Sequence, residues 1–271
     1  MPEDLAVVLD AAGTIMKMYR VAKDIARGCM IEGAVTWRLI MEKRGRALVV
    51  PELDPAMIAS LSPNDPVGSL LDVEGGRFVI SCSSTPVSRE DALEIVRHSE
   101  LKISDVQEVY ARVKERYPYR YQTLGLIIDA ELGGICHAIS TGGIPFPGFM
   151  DVLAELRSMG AEVFVASGDS IRSLSYLLDY DIAEERIYSV ANPMRKRDIV
   201  LSLKEKYHYV VMVGDGLNDI YALEAADFAV LTIQQDCYPP PRLVKAADKI
   251  IENLLELPVA LKEFARAVSI A

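Results

Sequence analysis

Three apolar runs of the chain end in groups that could do chemistry. Leu5 to Leu9 delivers Asp10, followed closely by Gly13 and Thr14. Glu162 to Ala166 runs into Ser167-Gly168-Asp169, and Tyr209 to Val213 into Gly214-Asp215-Gly216, with Asn218 and Asp219 just beyond. One acid after a strand reads as a cap; three such ends, if they share a sheet, read as a site. Asp10, Asp215 and Asp219 offer hard oxygens. Carboxylates gathered this closely repel unless a divalent cation sits among them, and Mg²⁺ suits such ligands while keeping room for water and a phosphate. Gly13 and Gly168 let backbone N–H groups approach an anion. The Ser167 hydroxyl can donate to the same anion, and Lys196 can balance its charge. Thr14, Ser167, Gly168, Lys196 and Asn218 form the expected phosphate-binding set. This collection fits phosphoryl transfer, where positioning and charge neutralisation supply most of the rate. Asp10 would act as a metal ligand or as a nucleophile that forms an aspartyl phosphate.

Such a site needs a particular scaffold. Short continuous apolar runs fit strands covered on both faces; Phe228 to Leu231 is a weaker example. Helices are expected between them: Phe149 to Met159, stopped by Gly160; Ile171 to Leu178; Pro193 to Tyr207, with proline in its first turn; and Asn218 to Ala226. Strands alternating with helices predict an α/β fold, a doubly wound, Rossmann-like parallel sheet that binds ligands beyond the carboxyl ends of its strands. The segment from Leu243 to Val268 is apolar at helical spacing and is expected to pack on the core or on a partner subunit, which leaves a homo-oligomer open.

The intervening chain reads differently. Arg46 to Val50 is strand-like and Ser69 to Cys82 reads as a hairpin turning at Glu74-Gly75-Gly76. Two helices follow with capping-box openings at Ser88/Asp91 and Ser104/Gln107. Thr123 to Ile139 reads as a second hairpin, turning at Gly133-Gly134 and leading back to the core. The expected division is a core of residues 1–20 and 121–271, with a smaller α+β cap-like module at 21–120 inserted after the first strand and its helix.

Composition narrows the classes. The chain has 271 residues and a net charge of −10. That charge argues against nucleic acid and anionic membrane as partners. Met194 to Arg197 is a short basic cluster that reads, taken alone, as a solvated helix start. The four cysteines are widely scattered, with no C-x-x-C pair, so free, partly buried thiols are expected, as in a reducing compartment. No apolar run approaches a membrane span, and "MPEDLAVV" lacks the features of a leader. A cytoplasmic protein is the expectation.

In order, "VVLDAAGT", "VFVASGD", "NPMRK" and "VVMVGDGLND" resemble the four motifs of the haloacid dehalogenase-like (HAD) hydrolases. They are most similar to those of the phosphorylation domain of P-type ATPases, where D-x-x-G-T, T-G-D, P-x-x-K and G-D-G-x-N-D occur in this order. The resemblance covers roughly residues 4–16 and 123–235. It implies Asp10 as nucleophile and metal ligand, Ser167 and Lys196 on the phosphoryl oxygens, Asp215 on Mg²⁺ and Asp219 assisting from the outer shell. The backbone carbonyl of Ala12 would be a further ligand. The implied substrate is a small phosphorylated molecule.

One position departs from the resemblance. HAD phosphatases usually carry a second aspartate two residues after the nucleophile, as acid and then base; here it is Ala12. Acid–base help is worth ~10²–10⁴-fold, so a substrate with a good leaving group is expected. D-x-A-G-T also resembles the first motif of phosphonoacetaldehyde hydrolase, which would require a Schiff-base lysine such as Lys17, Lys23 or Lys43. A degenerate scaffold that binds Mg²⁺ or phosphate without catalysis is the remaining alternative.

Overall fold

A computed structural model describes residues 5–73, 77–119, 121–235 and 238–270. The chain divides into two compact units, residues 1–18 with 144–271, and residues 19–143.

Strand β1 (Leu5–Leu9) is buried along its whole length. The expected helix after it is instead strand β2 (Met16–Asp24). Met16 and Met18 are buried while Lys17 between them is exposed, a two-residue alternation that suits a strand. Then come β3 (Cys29–Glu32), α1 (Thr36–Met41), β4 (Arg46–Pro51), β5 (Phe78–Ser83), α2 (Arg89–Arg97), α3 (Ile103–Arg116), β6 (Gln122–Asp129) and β7 (Gly134–Pro145). The six strands form one sheet in the order β3-β2-β7-β6-β4-β5. One face of the sheet packs a core with Val96, Val106, Val109 and Val113 of α2 and α3. The other packs a smaller cluster with Leu39 and Ile40 of α1.

Several expectations change in this unit. The hairpin of β6 and β7 pairs within this antiparallel sheet, with β4 beside β6. The second unit therefore reaches Gly143 rather than ending at residue 120. Val67–Leu71 is a 3-10 turn, so β5 alone remains of the strand pair expected across Ser69 to Cys82. The turn expected at 74–76 lies outside the described residues. Ser88 caps α2 as expected, accepting from the Asp91 N–H at 3.0 Å. Helix α3 starts one residue before Ser104. Asp105 there accepts from the Lys102 N–H at 3.0 Å, while Gln107 donates to the carbonyls of Ile58 and Leu61.

The first unit resumes with α4 (Phe149–Ser158), β8 (Ala161–Ala166), α5 (Ile171–Leu174), β9 (Ile187–Tyr188), α6 (Pro193–Lys204), β10 (Tyr209–Gly214), α7 (Ile220–Ala225), β11 (Phe228–Thr232), α8 (Pro241–Lys245), β12 (Lys249–Ile251) and α9 (Leu257–Ile270). The sheet order is β12-β11-β10-β1-β8-β9, with every pair parallel. Ala6 and Val8 join Ile199, Val200 and Leu223 of α6 and α7 in the core on one face. The alternate residues Val7 and Leu9 point to the other face. Strands buried on both sides explain the unbroken apolar runs. The segment expected to be helical from Leu243 onward contains β12, whose three residues are too short for a period of two to show. The helices expected at Ile171 and Asn218 are each partly 3-10.

Candidate functional site

Parallel pairing converges the strand ends. The register that sets Leu9 level with Val213 in β10 and with Val165 in β8 carries on, and the Asp10 N–H donates to the Val213 carbonyl at 2.9 Å. Asp10 therefore leaves the sheet between the Ser167 loop and the Asp215 loop. Beyond it the chain turns tightly. The N–H groups of Ile15 and Met16 both donate to the Ala11 carbonyl, and Gly13 donates to Met16. Gly13 has φ +90°, and a Cβ there would overlap the Asp215 carboxylate. The glycine thus serves twice, in backbone conformation and in the space it gives a neighbouring acid. Gly214 plays the second part for Asp219, whose carboxylate lies where a side chain at 214 would be.

Asp10, Asp215 and Asp219 each place a carboxylate oxygen within 4.8 Å of the others. Lys196 enters the same cluster. Asn192 caps α6 by accepting from the Arg195 N–H at 2.9 Å, and Pro193 opens its first turn. The helix then aims Lys196 inward, where it is fully buried, so the basic cluster is not simply a solvated helix start. Its Nζ donates to Asp10 Oδ1 and, at 2.6 Å, to Asp219 Oδ1. Asp219 Oδ2 accepts from the N–H groups of Asp215 and Gly216, both at 3.2 Å. Both oxygens of Asp219 are thus engaged. Asp10 Oδ2 is different: it is buried and has no hydrogen-bond partner.

Two carboxylates against one ammonium leave the buried cluster short of positive charge. Burial, then the charge of Asp219, raises the Asp10 carboxyl to about 7 against the opposing pull of Lys196. For Lys196 burial acts downward, but the carboxylates of Asp10 and Asp219 outweigh it and hold the ammonium protonated. A bare, buried carboxylate oxygen beside a second acid is what a hard cation would complete. The donor set is all oxygen, as Mg²⁺ requires.

Ser167 is buried. Its hydroxyl donates to Asp169 Oδ2 at 2.9 Å and accepts from the Asp169 N–H at 3.2 Å. Its backbone links to the next loop: Ser167 N–H donates to Tyr188, Ala191 N–H to Ser167, and Val190 N–H to Asp169. Gly168 and Asn218 are exposed at the strand ends. Thr14 is buried with its Oγ1 unpartnered, which directs the residue's hydroxyl away from solvent. Its carbonyl accepts from Gln234 Nε2 at 2.7 Å, and Gln234 Oε1 accepts from the Leu254 N–H. Gln235 accepts from the Met18 N–H at 2.7 Å. Asp169, Gln234 and Gln235 were not among the expected site residues. Asp169 had a signal, since it ends the "VFVASGD" run; the glutamines had none, because they follow the weakest of the four strand runs.

The carboxyl edge of this parallel sheet thus carries a buried aspartate, a buried lysine and an acidic group that could hold a metal ion, the arrangement of an α/β hydrolase. A family model of haloacid dehalogenase-like hydrolases matches residues 5–227, and the chain belongs to that family. It is 33% identical over 259 residues to a soluble P-type ATPase-like phosphatase of Methanocaldococcus jannaschii, covering 93% of this chain and 91% of that one. It is 25% identical to the potassium-transporting ATPase ATP-binding subunit of Halobacterium salinarum, over 82% of this chain but 35% of the longer protein. Among solved structures, a hydrolase from Pseudomonas syringae aligns at 15% identity and a TM-score of 0.47, covering 95% and 98% of the two chains. Among the described residues no helix is long and apolar enough to cross a membrane. Cys29, Cys82 and Cys136 are free, the first two exposed rather than partly buried; Cys237 lies outside the described residues.

Proposed function

We propose that the protein is a Mg²⁺-dependent phosphohydrolase of small phosphorylated molecules, working through an aspartyl phosphate on Asp10. The observation that carries this reading is the bare, buried Asp10 Oδ2 beside Asp215, with Oδ1 held by Lys196. In it, Asp10 attacks phosphorus through one carboxylate oxygen and would hold the cation through the other, while Lys196 fixes the carboxylate's orientation and offsets the charge of the incoming phosphoryl group; the leaving group departs, and water then attacks the aspartyl phosphate at phosphorus, releasing phosphate and freeing Asp10. Asp219 keeps Lys196 protonated and in place. Ser167 exchanges its bond to Asp169 for a phosphoryl oxygen, and the exposed backbone at Gly168 and the amide of Asn218 complete the cradle. Thr14 contributes through its backbone. Asp10, Asp215 and the carbonyl of Ala12 would hold Mg²⁺, with Asp219 behind them. When bound, the ion supplies Lewis-acid neutralisation of phosphoryl charge. The name of the 33% identical relative supports a phosphatase, and the motif order supports the residue roles.

No side chain at position 12 can protonate a departing oxygen. The favoured substrates are therefore those whose leaving group departs as a stable anion: acyl phosphates and aryl phosphates. Asp10→Asn is expected to lower Mg²⁺-dependent turnover of acetyl phosphate and p-nitrophenyl phosphate by at least ~10³-fold, as loss of a covalent nucleophile does. Turnover retained in the folded variant would reject the assignment.

A further inference from the structure

The edge of the sheet that carries these charged groups also exposes apolar side chains. Ile171 is 41% exposed, Val190 55%, Met194 45% and Leu217 45%. They come from three different strand-end loops, and each is a near neighbour in the chain of a site residue or is bonded to one. Ile171 follows Asp169 by two positions, Met194 precedes Lys196 by two, and Leu217 stands between Asp215 and Asn218. Val190 is tied to the Asp169 carbonyl by its N–H at 2.8 Å. An isolated exposed apolar residue is ordinary; four flanking one phosphoryl site on three loops are not.

Val190 adds a second observation. Its φ is +51°, a left-handed conformation that a β-branched residue seldom adopts. Such strain persists where surrounding bonds over-determine it, and it clusters at ligand-binding loops. Here the bonds from Val190 to Asp169 and from Ala191 to Ser167 impose it, and the valine side chain is left exposed on a loop bonded to two site residues. Arg172 and Arg195, adjacent in sequence to Ile171 and Met194, add positive charge to the same loops.

From this we infer that Ile171, Val190, Met194 and Leu217 form an apolar collar that selects the substrate's leaving group, so that the substrate is an acyl or aryl phosphate with an apolar body. The inference rests on the phosphohydrolase reading and deepens it. Two independent features meet in it. Ala12 requires a leaving group that needs no proton, and the collar offers that group an apolar surface. Benzoyl and phenyl groups satisfy both; short polar or alkyl groups satisfy one or neither. An apolar contact of this size discriminates on the order of 10-fold.

The test has a turnover arm and a binding arm. Benzoyl phosphate and acetyl phosphate, both carboxylate-releasing, are compared in kcat/KM with Mg²⁺. Phenylphosphonate and methylphosphonate, which are not hydrolysed, are compared in Kd by calorimetry with Mg²⁺. The wild type is expected to favour the aromatic member of each pair by about 10-fold or more. Met194→Ser/Leu217→Ser is expected to bring both ratios to within about 2-fold of one, while Leu217→Met keeps them. Equal preference in the wild type, or a preference the serine variant leaves intact, overturns the collar. An aromatic binding preference with no turnover of either acyl phosphate would instead reject the phosphohydrolase reading while leaving the collar standing.

Discussion

At the scale of single residues, the decisive contrast is between Asp10 and Asp219. Both are buried and both touch Lys196, but Asp219 is saturated by hydrogen bonds and Asp10 keeps one bare oxygen. Burial raises the Asp10 carboxyl from its ordinary 3.8 to about 7. For a carboxyl whose folded value is raised, the contribution to stability is complete below the unfolded value and is lost as pH climbs through the folded one. Metal-free protein should therefore weaken between about pH 4 and pH 7, and Asp10→Asn, which cannot ionise, should outlast it at about pH 8 by on the order of 1 kcal/mol or more. Chemical denaturation in EDTA measures this; a wild type at least as stable as the variant would refute it. Ala12→Asp restores an acid where the family usually has one and should raise turnover of an alkyl phosphate by about 10²-fold. No gain in steady-state assays of the folded variant would show that the missing acid does not limit the reaction. The bareness of Oδ2 was not legible in the sequence, since it depends on which of two acids the lysine and the backbone amides satisfy.

At the scale of elements, two turns decide the geometry. Gly13→Ala forces a Cβ into the Asp215 carboxylate and a left-handed backbone on alanine. The Mg²⁺ concentration for half-maximal activity should rise about 10-fold or more, with a loss of about 1 kcal/mol in stability. An unchanged Mg²⁺ requirement would mean that the glycine does not set the Asp215 position. Asn192→Ala removes the cap that starts α6 and should cost about 1 kcal/mol by urea titration; a cost near zero would show the cap idle. These elements were readable because β1, β8 and β10 are unbroken apolar runs that end in the motif residues. β2 was not: it follows Asp10 where an α/β pattern leads one to expect a helix, and its alternation is only partial. β9 and β12 have two and three residues, too few for periodicity to register. The hairpin of β6 and β7 was legible as a hairpin, but not the sheet it joins, because pairing partners are set by tertiary contacts.

At the scale of the molecule, the two units have separate cores, and the single tryptophan, Trp37, belongs to the second. A cation held by Asp10 and Asp215 would add its binding energy to the unit that contains both residues, the first. Thermal unfolding followed by Trp37 fluorescence should therefore be insensitive to Mg²⁺, while the first unit's transition in scanning calorimetry shifts upward. A common shift in both signals would show that the units unfold together.

The two glutamines after β11 lead somewhere less obvious. The family model matches only as far as Asp227, yet the amides that anchor the carbonyl of Thr14 and the N–H of Met18 come from Gln234 and Gln235. A protein trimmed to residues 5–227 would keep Asp10, Ser167, Lys196, Asp215 and Asp219 and lose the two amides that tie down the turn after Asp10. Two glutamines just past the last strand-end motif, one of them braced by the Leu254 N–H, work as rigging for the aspartate near the opposite end of the chain.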